Sequence, residues 1–416
     1  MRPPSLGLLV AAGAAILLFA LGARAATVQA TATTYTDASQ PTYGDAESHT
    51  LVPAYELVDV TANQIHMPWG DTAAVVLSGW GGVDLANDTG TSGPGADLNL
   101  LYVEGGAFRH ALTFRLGRQF VMNGVARMTQ LDGANLQYVV HHIGLQAYGG
   151  AIVTPRFAEP LATTMAGGRL FWNPTLETEI GASYAQIFDH ALSVRQEVGL
   201  DGRAVLLHRL VLDASAFYDL AAARIAEAVG DASWRFGRLV TLGARYQRTA
   251  PDLFLPPNSI WTVFADDERR DSVGGFAIVT PAEHWSIWLE GLGILGSNGN
   301  GFETTGRVSW TQRFYSIGLD VHTLSYDADG HLTPRLYAVW RPGDKLTLSG
   351  DLEETWLQHP MNGVTHVFNA SGTAAWTFVP SWQLALAVLG GDTPFLSQDV
   401  EVLGRLQWAP TFGGQR

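Results

Sequence analysis

The chain of 416 residues contains no cysteine. No disulfide can staple it, and no lipid anchor can be attached through a thiol. Charge is scarce as well: Asp, Glu, Lys and Arg make up only 15% of the residues. Within that small set 39 acids face 25 bases, for a formal net charge of −14. A surplus of that sign excludes the basic footprint of a nucleic-acid binder, so no nucleic-acid partner is expected. After residue 25 no stretch reaches 18 uncharged apolar residues, so no transmembrane helix is expected either. Apolar residues at i, i+3, i+4 and i+7 are not sustained anywhere beyond the N-terminus.

What is present begins with an address. Arg2 precedes the apolar run Leu6–Gly22, and Ala23-Arg24-Ala25 has the small-residue pattern of a cleavage site. Residues 1–25 therefore read as a signal peptide and 26–416 as the mature, exported chain.

The mature chain repeats one pattern, alternation of apolar and polar residues with period two. In Leu346–Glu353 the residues Leu346, Leu348 and Leu352 fall on one side of a strand and Thr347, Ser349, Asp351 and Glu353 on the other. Leu210–Asp219, Trp382–Val388 and Asp399–Trp408 read the same way, and Thr175–Gln186 reads as one strand with Leu176, Ile180, Ala182 and Tyr184 on its apolar side. A soluble sandwich or propeller also alternates, but soluble strands cluster near about 5–6 residues and these run longer. No blade-length repeat is visible either. Trp234, Trp310, Trp340, Trp356, Trp376, Phe378, Trp382 and Trp408 share the apolar parity at strand ends, as in the aromatic rim of a membrane barrel.

Connection lengths point the same way. Starting from Thr27, long connections (37–54, 87–96, 121–133, 152–165, 251–271) alternate with tight turns such as Met67–Asp71, Asn173-Pro174 and Arg341–Asp344. The expected fold is all-β: a single transmembrane antiparallel barrel of about 22 strands (18–22 allowed by the pattern), with short periplasmic turns and longer extracellular loops. Leu346, Leu348 and Leu352 then meet outer-membrane lipid, and every backbone polar group is paired around a closed sheet.

The segment Leu112–Gly133 carries a motif: a strand ending Leu116-Gly117-Arg118-Gln119, a loop, and a return at Asp132-Gly133. In this the chain resembles porin-like outer-membrane barrels of Gram-negative bacteria. The resemblance implies residence in the outer membrane and insertion by the barrel-assembly machinery. Such chains commonly end on an aromatic residue; here Trp408 or Phe412 would serve, or the tail extends past the last strand.

No catalytic constellation stands out, so no enzyme and no cofactor are expected. His141-His142 sits at a predicted tight turn with no carboxylate at ligand spacing. Asp266, Asp267 and Asp271 lack the spacing of a calcium loop, so no metal site is expected. Gly296–Gly301 reads as a hairpin, and Gly90–Gly95 does not match a nucleophile elbow. The informative charges are those of polar parity. They are Glu177, Glu179, Glu197, Asp201, Asp213, Glu227, Asp231, Glu290, Asp320, Asp351, Glu353, Asp399 and Glu401, with Arg115, Arg195, Arg203, Arg235, Arg245, Arg307, Arg335 and Arg405. They are expected to line a lumen, either as the wall of a water-filled passage with an acidic surplus or as a mutually neutralising network that fills it. The function expected is an outer-membrane channel for passive passage of small hydrophilic solutes or ions. The alternative is a barrel that sheathes a periplasmic or lumenal partner protein such as an electron-transfer cytochrome or a lipoprotein. Strand patterning begins at Thr27, so no folded plug domain is expected, and closure would come from loops such as 37–54 and 251–271.

Overall fold

The computed structural model describes residues 27–39, 52–85, 95–153, 163–190, 192–250, 269–296, 299–326, 330–394 and 399–412. The signal-peptide segment 1–25, most of loops 37–54 and 251–271, and the Gly90–Gly95 and Gly296–Gly301 readings lie wholly or partly outside those residues.

The described residues form twenty-two long strands and one short one. The first six are β1 (Thr27–Ser39), β2 (Pro53–His66), β3 (Thr72–Asp84), β4 (Gly95–Ala107), β5 (Leu112–Val121) and β6 (Thr129–Val140). Then follow β7 (Ile143–Ile152), β8 (Thr163–Thr175), β9 (Thr178–Asp189), β10 (Leu192–Leu206), β11 (Leu210–Asp219) and β12 (Arg224–Phe236). The next six are β13 (Val240–Thr249), β14 (Arg270–Val279), β15 (Trp285–Gly296), β16 (Gly299–Thr311), β17 (Tyr315–Tyr326) and β18 (His331–Trp340). The last are β19 (Leu346–Met361), β20 (Val364–Val379), β21 (Trp382–Gly391), β22 (Asp399–Trp408) and the two-residue β23 (Thr411–Phe412). The only helical turn among the described residues is a 3-10 turn at Gly124–Ala126.

All strands belong to one antiparallel sheet, closed where β22 pairs back onto β1 with Tyr35 opposite Arg405. Beyond Pro410, β23 continues that seam with Phe412 opposite Val28. The chain is a closed 22-strand β-barrel, as its alternation requires. Strand lengths of 10 residues in β21 and 16 in β19 and β20 suit tilted spanning strands. Short connections follow the even-numbered strands from β2 to β20; the longer ones, such as 122–128 and 250–269, all follow odd-numbered strands, although the connections after β9, β15 and β19 are also short.

One turn differs from its expected place. Asn173-Pro174 lies inside β8, and the tight turn is Leu176-Glu177, closed by Thr175 opposite Thr178. The register shifts between Trp172 and Thr175, so a bulge takes up the missing proline N–H and the ladder runs on. Leu176 is consequently a fully exposed turn residue rather than part of an apolar strand face.

The sheet gathers into two compact units. In the first, made of most of β17, β18–β22, β23, β1–β3 and most of β4, Val28, Val60, Ala62, Ile65, Ala73 and Leu77 form an apolar cluster. In the second, made of β5–β15 and most of β16, the cluster is Val121, Val125, Ala126, Leu131, Tyr148, Met165, Ala185 and Phe217. Its members come from six strands and from the β5–β6 connection, a loop that packs like core.

Candidate functional site

Each strand carries an apolar and a polar face. Leu145, Leu170, Ile180, Leu200, Leu289, Leu352 and Leu386 are exposed on the apolar face, a row of aliphatic side chains that water would not support. The expected aromatic rim belongs to that face. Trp376 packs on Phe378, Phe378 on Trp382, Trp382 on Trp408 and Trp408 on Phe412, with ring centroids 5.6–6.4 Å apart. Trp340 and the tilted pair Trp234–Phe236 stand at the same, short-turn ends of their strands. An aliphatic belt with an aromatic edge is the surface a bilayer selects, so the apolar wall faces lipid.

The polar face holds arginine–carboxylate groups. Arg169 is buried; its Nη2 donates to Glu179 at 2.6 Å and it also binds Asp201. Its guanidinium lies 5.1 Å from the Phe171 ring centroid. Arg245 bridges Asp231 at 2.7 Å and Glu290 at 2.8 Å, above Phe276. Arg307 lies over Trp288. In the first unit Arg335 donates from Nε and Nη2 to Asp351 at 2.8 and 2.6 Å and packs on Tyr337. Arg405 binds the Gln383 amide oxygen. Arg203 stands opposite Glu179 and Asp213, Arg235 opposite Thr241, and Asp320 acts electrostatically on Arg335. Arg115 is opposite Asn135. Of the expected residues, Glu177 is not on a strand face: it occupies the β8–β9 turn, 3.7 Å from His208, because that turn falls three residues later than Asn173-Pro174 would put it. The side chain of Asp399 lies outside the described residues.

These large side chains lie flat because the neighbouring strand offers glycine. A Cβ at Gly181 would meet Arg169 Nε at 2.5 Å, and one at Gly144 would overlap the Phe171 ring. Phe276 covers Gly243 and Tyr337 covers Gly318 in the same manner.

The β5–β6 connection, residues 122–128, lies on this polar face. Val125 N–H donates to Ser183 Oγ at 3.1 Å, and Asn123 Nδ2 donates to Gln146 at 3.2 Å. Arg127 binds Glu197 and Glu227, each at 2.7 Å, and stacks 4.7 Å from the Phe217 centroid. Arg195 shares Glu197 at 2.6 Å. The sequence motif forms the root of this loop. Gln119 is fully buried, and its amide donates to the carbonyls of Arg115 at 2.9 Å and Gly133 at 3.3 Å. Arg118 makes a two-point pair with Asp132 at 2.8 Å across the strands that enter and leave the loop. At Gly133 a Cβ would sit 2.1 Å from the Gly149 carbonyl oxygen, so this crossing tolerates only glycine.

Sequence reasoning missed Arg127, Arg169 and Gln146, and it placed Ser183 on the polar side of its strand without a role. Arg169 has the right parity, but Phe171 beside it blurs the alternation. Arg127 is in a loop, where period two carries no information. The available signal was the apolar content of Val121–Met128, unusual for a solvated loop. His141-His142 occupies the β6–β7 turn, and no cluster suited to a metal ion exists among the described residues. Asp271, once grouped with Asp266 and Asp267, instead accepts from Arg269 at 2.7 Å and from Tyr246 at 2.8 Å. Asp266 and Asp267 lie outside the described residues.

No protein-family model matches the chain, and no curated protein is similar to it at a significant level. Solved structures do match. The P pilus usher (PapC) translocation pore aligns over 92% of this chain and all of its own, at TM-score 0.53 and 9% identity. Pseudomonas aeruginosa OccK2 (OpdF) in complex with glucuronate covers 92% and 98% at 0.46 and 10%. Acinetobacter baumannii OccAB3 covers 92% and 99% at 0.44 and 10%. The chain shares with that translocation pore the fold of a single closed transmembrane β-barrel.

Proposed function

We propose that the protein is a passive channel for small hydrophilic solutes or ions in the bacterial outer membrane, delivered there by a cleaved signal peptide over residues 1–25. The polar face lines its lumen, and the loop 122–128 narrows that lumen. The observation that carries this reading is the exposure of charged groups on the polar face. The side chains of Arg335, Glu179, Arg245 and Asp231 are 46%, 40%, 37% and 31% exposed although each is ion-paired. A dry network filling a barrel would desolvate such groups; pairs that stay wet describe the wall of an aqueous passage. Electrostatic pairing fixes the side chains against the wall and leaves the axis to water and solute. Glu197, 3% exposed beneath Arg127 and Arg195, marks where the loop closes over the wall.

The test is conductance of the purified barrel in planar lipid bilayers. Ohmic single-channel steps in potassium chloride are expected. A barrel that inserts, as judged by heat-modifiable mobility on a gel, and passes no current would overturn the reading.

A further inference from the structure

The polar face of the first unit holds a recess of about 470 Å³, lined in part by the Arg335–Asp351 pair. Two rows of side chains build it, each crossing neighbouring strands. One row sets Arg335 opposite Glu353, Glu353 opposite Asn369 and Asn369 opposite Gly391. The other sets Asp351 opposite Ser371, Ser371 opposite Leu389 and Leu389 opposite Glu401. Groups in a row repeat at about 4.8 Å and the two rows lie about 7 Å apart, the strand spacing and the two-residue rise of a sheet. Gly391 keeps the floor open: a Cβ there would fall 2.1 Å from the Asn369 amide oxygen.

The chemistry of the lining selects the solute. Arg335 is already neutralised by Asp351, and Glu353 adds a further carboxylate beside that pair, so an anionic solute meets no unpaired cation and one more negative charge. An apolar solute would strip water from charged, amide and hydroxyl groups and return no hydrogen bonds. A single inorganic cation leaves most of the volume unused. A solute whose hydroxyls both donate and accept, spaced around a ring, can engage carboxylate, amide and serine groups together. We propose that this recess is a binding subsite for small neutral polyhydroxylated solutes of monosaccharide to disaccharide size. The inference rests on the channel reading and adds the class of solute held in the passage.

The test is current through single channels in potassium chloride with maltose or glucose added, compared with glycerol at equal viscosity, gluconate and choline. Maltose or glucose is expected to give a saturable block that glycerol, gluconate and choline do not. Asn369→Leu and Glu353→Gln are expected to raise the half-blocking concentration roughly tenfold each, the loss of one or two hydrogen bonds to a polar group. Their sugar-free conductance shows that the barrel is folded. A sugar effect equal to that of glycerol, a block unchanged in both variants, or a block by choline in place of sugar overturns the inference and leaves the channel intact. If no variant and no wild-type barrel conducts, the channel reading falls. Equilibrium dialysis of labelled maltose against the detergent-solubilised barrel then decides the subsite alone: binding weakened by Asn369→Leu upholds it, and no binding overturns it.

Discussion

Leu348 and Ser349 are neighbours in sequence and stand on opposite faces of β19, opposite Ala374 and Thr373 respectively. Leu348→Arg puts a guanidinium into lipid and is expected to destabilise the barrel by about 2–4 kcal/mol. Ser349→Arg, on the polar face, is expected to change stability little. Urea unfolding of the two variants in lipid vesicles measures the difference, and equal losses would break the assignment of faces. Tyr148 supplies a second residue-scale case. Its ring is buried under the 122–128 loop, and its hydroxyl has no hydrogen-bond partner among the described residues. Tyr148→Phe removes a desolvated group that makes no bond, so stability is expected to stay level or rise by up to about 1 kcal/mol in the same assay. A loss of 2 kcal/mol or more, well beyond that range, would show that the hydroxyl is satisfied.

The element that matters most is the loop 122–128. Polar tethers at Ser183, Gln146, Glu197 and Glu227 hold it, and Val125 and Ala126 are buried in the second unit's cluster. Arg127→Ala removes two ion pairs and the stacking on Phe217, and leaves Glu197 with Arg195 alone. Single-channel conductance is expected to rise and current noise to increase, because the loop loses its strongest anchor. Unchanged conductance would show that the loop does not narrow the passage. Strand pairs make a related demand. Gly181→Val would drive a branched side chain into Arg169, and a loss of about 1–3 kcal/mol is expected in the urea assay. Both elements show why the motif at Leu116–Gln119 and Asp132-Gly133 was legible as a motif while its purpose was not. Its residues pair locally, but the loop they root is held by residues 23 to 100 positions away.

At the scale of the whole molecule, Lys345 is the chain's only lysine and lies exposed in the short turn between β18 and β19. His190 lies at the other end of the barrel, in the β9–β10 connection, with its side chain 74% exposed. On intact cells an impermeant amine reagent is expected to leave Lys345 unlabelled, while a cysteine at position 190 reacts with an impermeant maleimide. The opposite pattern would invert the barrel. Selectivity belongs to the same scale. Acids outnumber arginines on the polar face, so an open lumen is expected to favour K⁺ over Cl⁻ modestly. The preference should shrink in 1 M salt, where the Debye length falls to about 3 Å. Neutralising Asp351, Glu353, Asp399 and Glu401 together should move the reversal potential towards anion preference, and anion preference in the unmodified protein would contradict the wall described above.

The period-two alternation, with the connection lengths, determined the all-β barrel, a count of about 22 strands and the lipid-facing row, and it assigned the polar-face charges by parity. It could do so because side-chain direction in a strand depends only on position, and a bilayer punishes any strand that breaks the rule. Three things were decided only by tertiary structure. The β8–β9 turn moved from Asn173-Pro174 to Leu176-Glu177, since a bulge accommodated the proline that local sequence read as a breaker. Arg169, Arg195, Arg245 and Arg335 became paired rather than free charges, since partners on adjacent strands are set by register and not by sequence distance. The loop 122–128 came to lie on the wall, since its anchors are Ser183, Glu197 and Glu227, and a loop's path follows from the groups it can bury and bond across the fold.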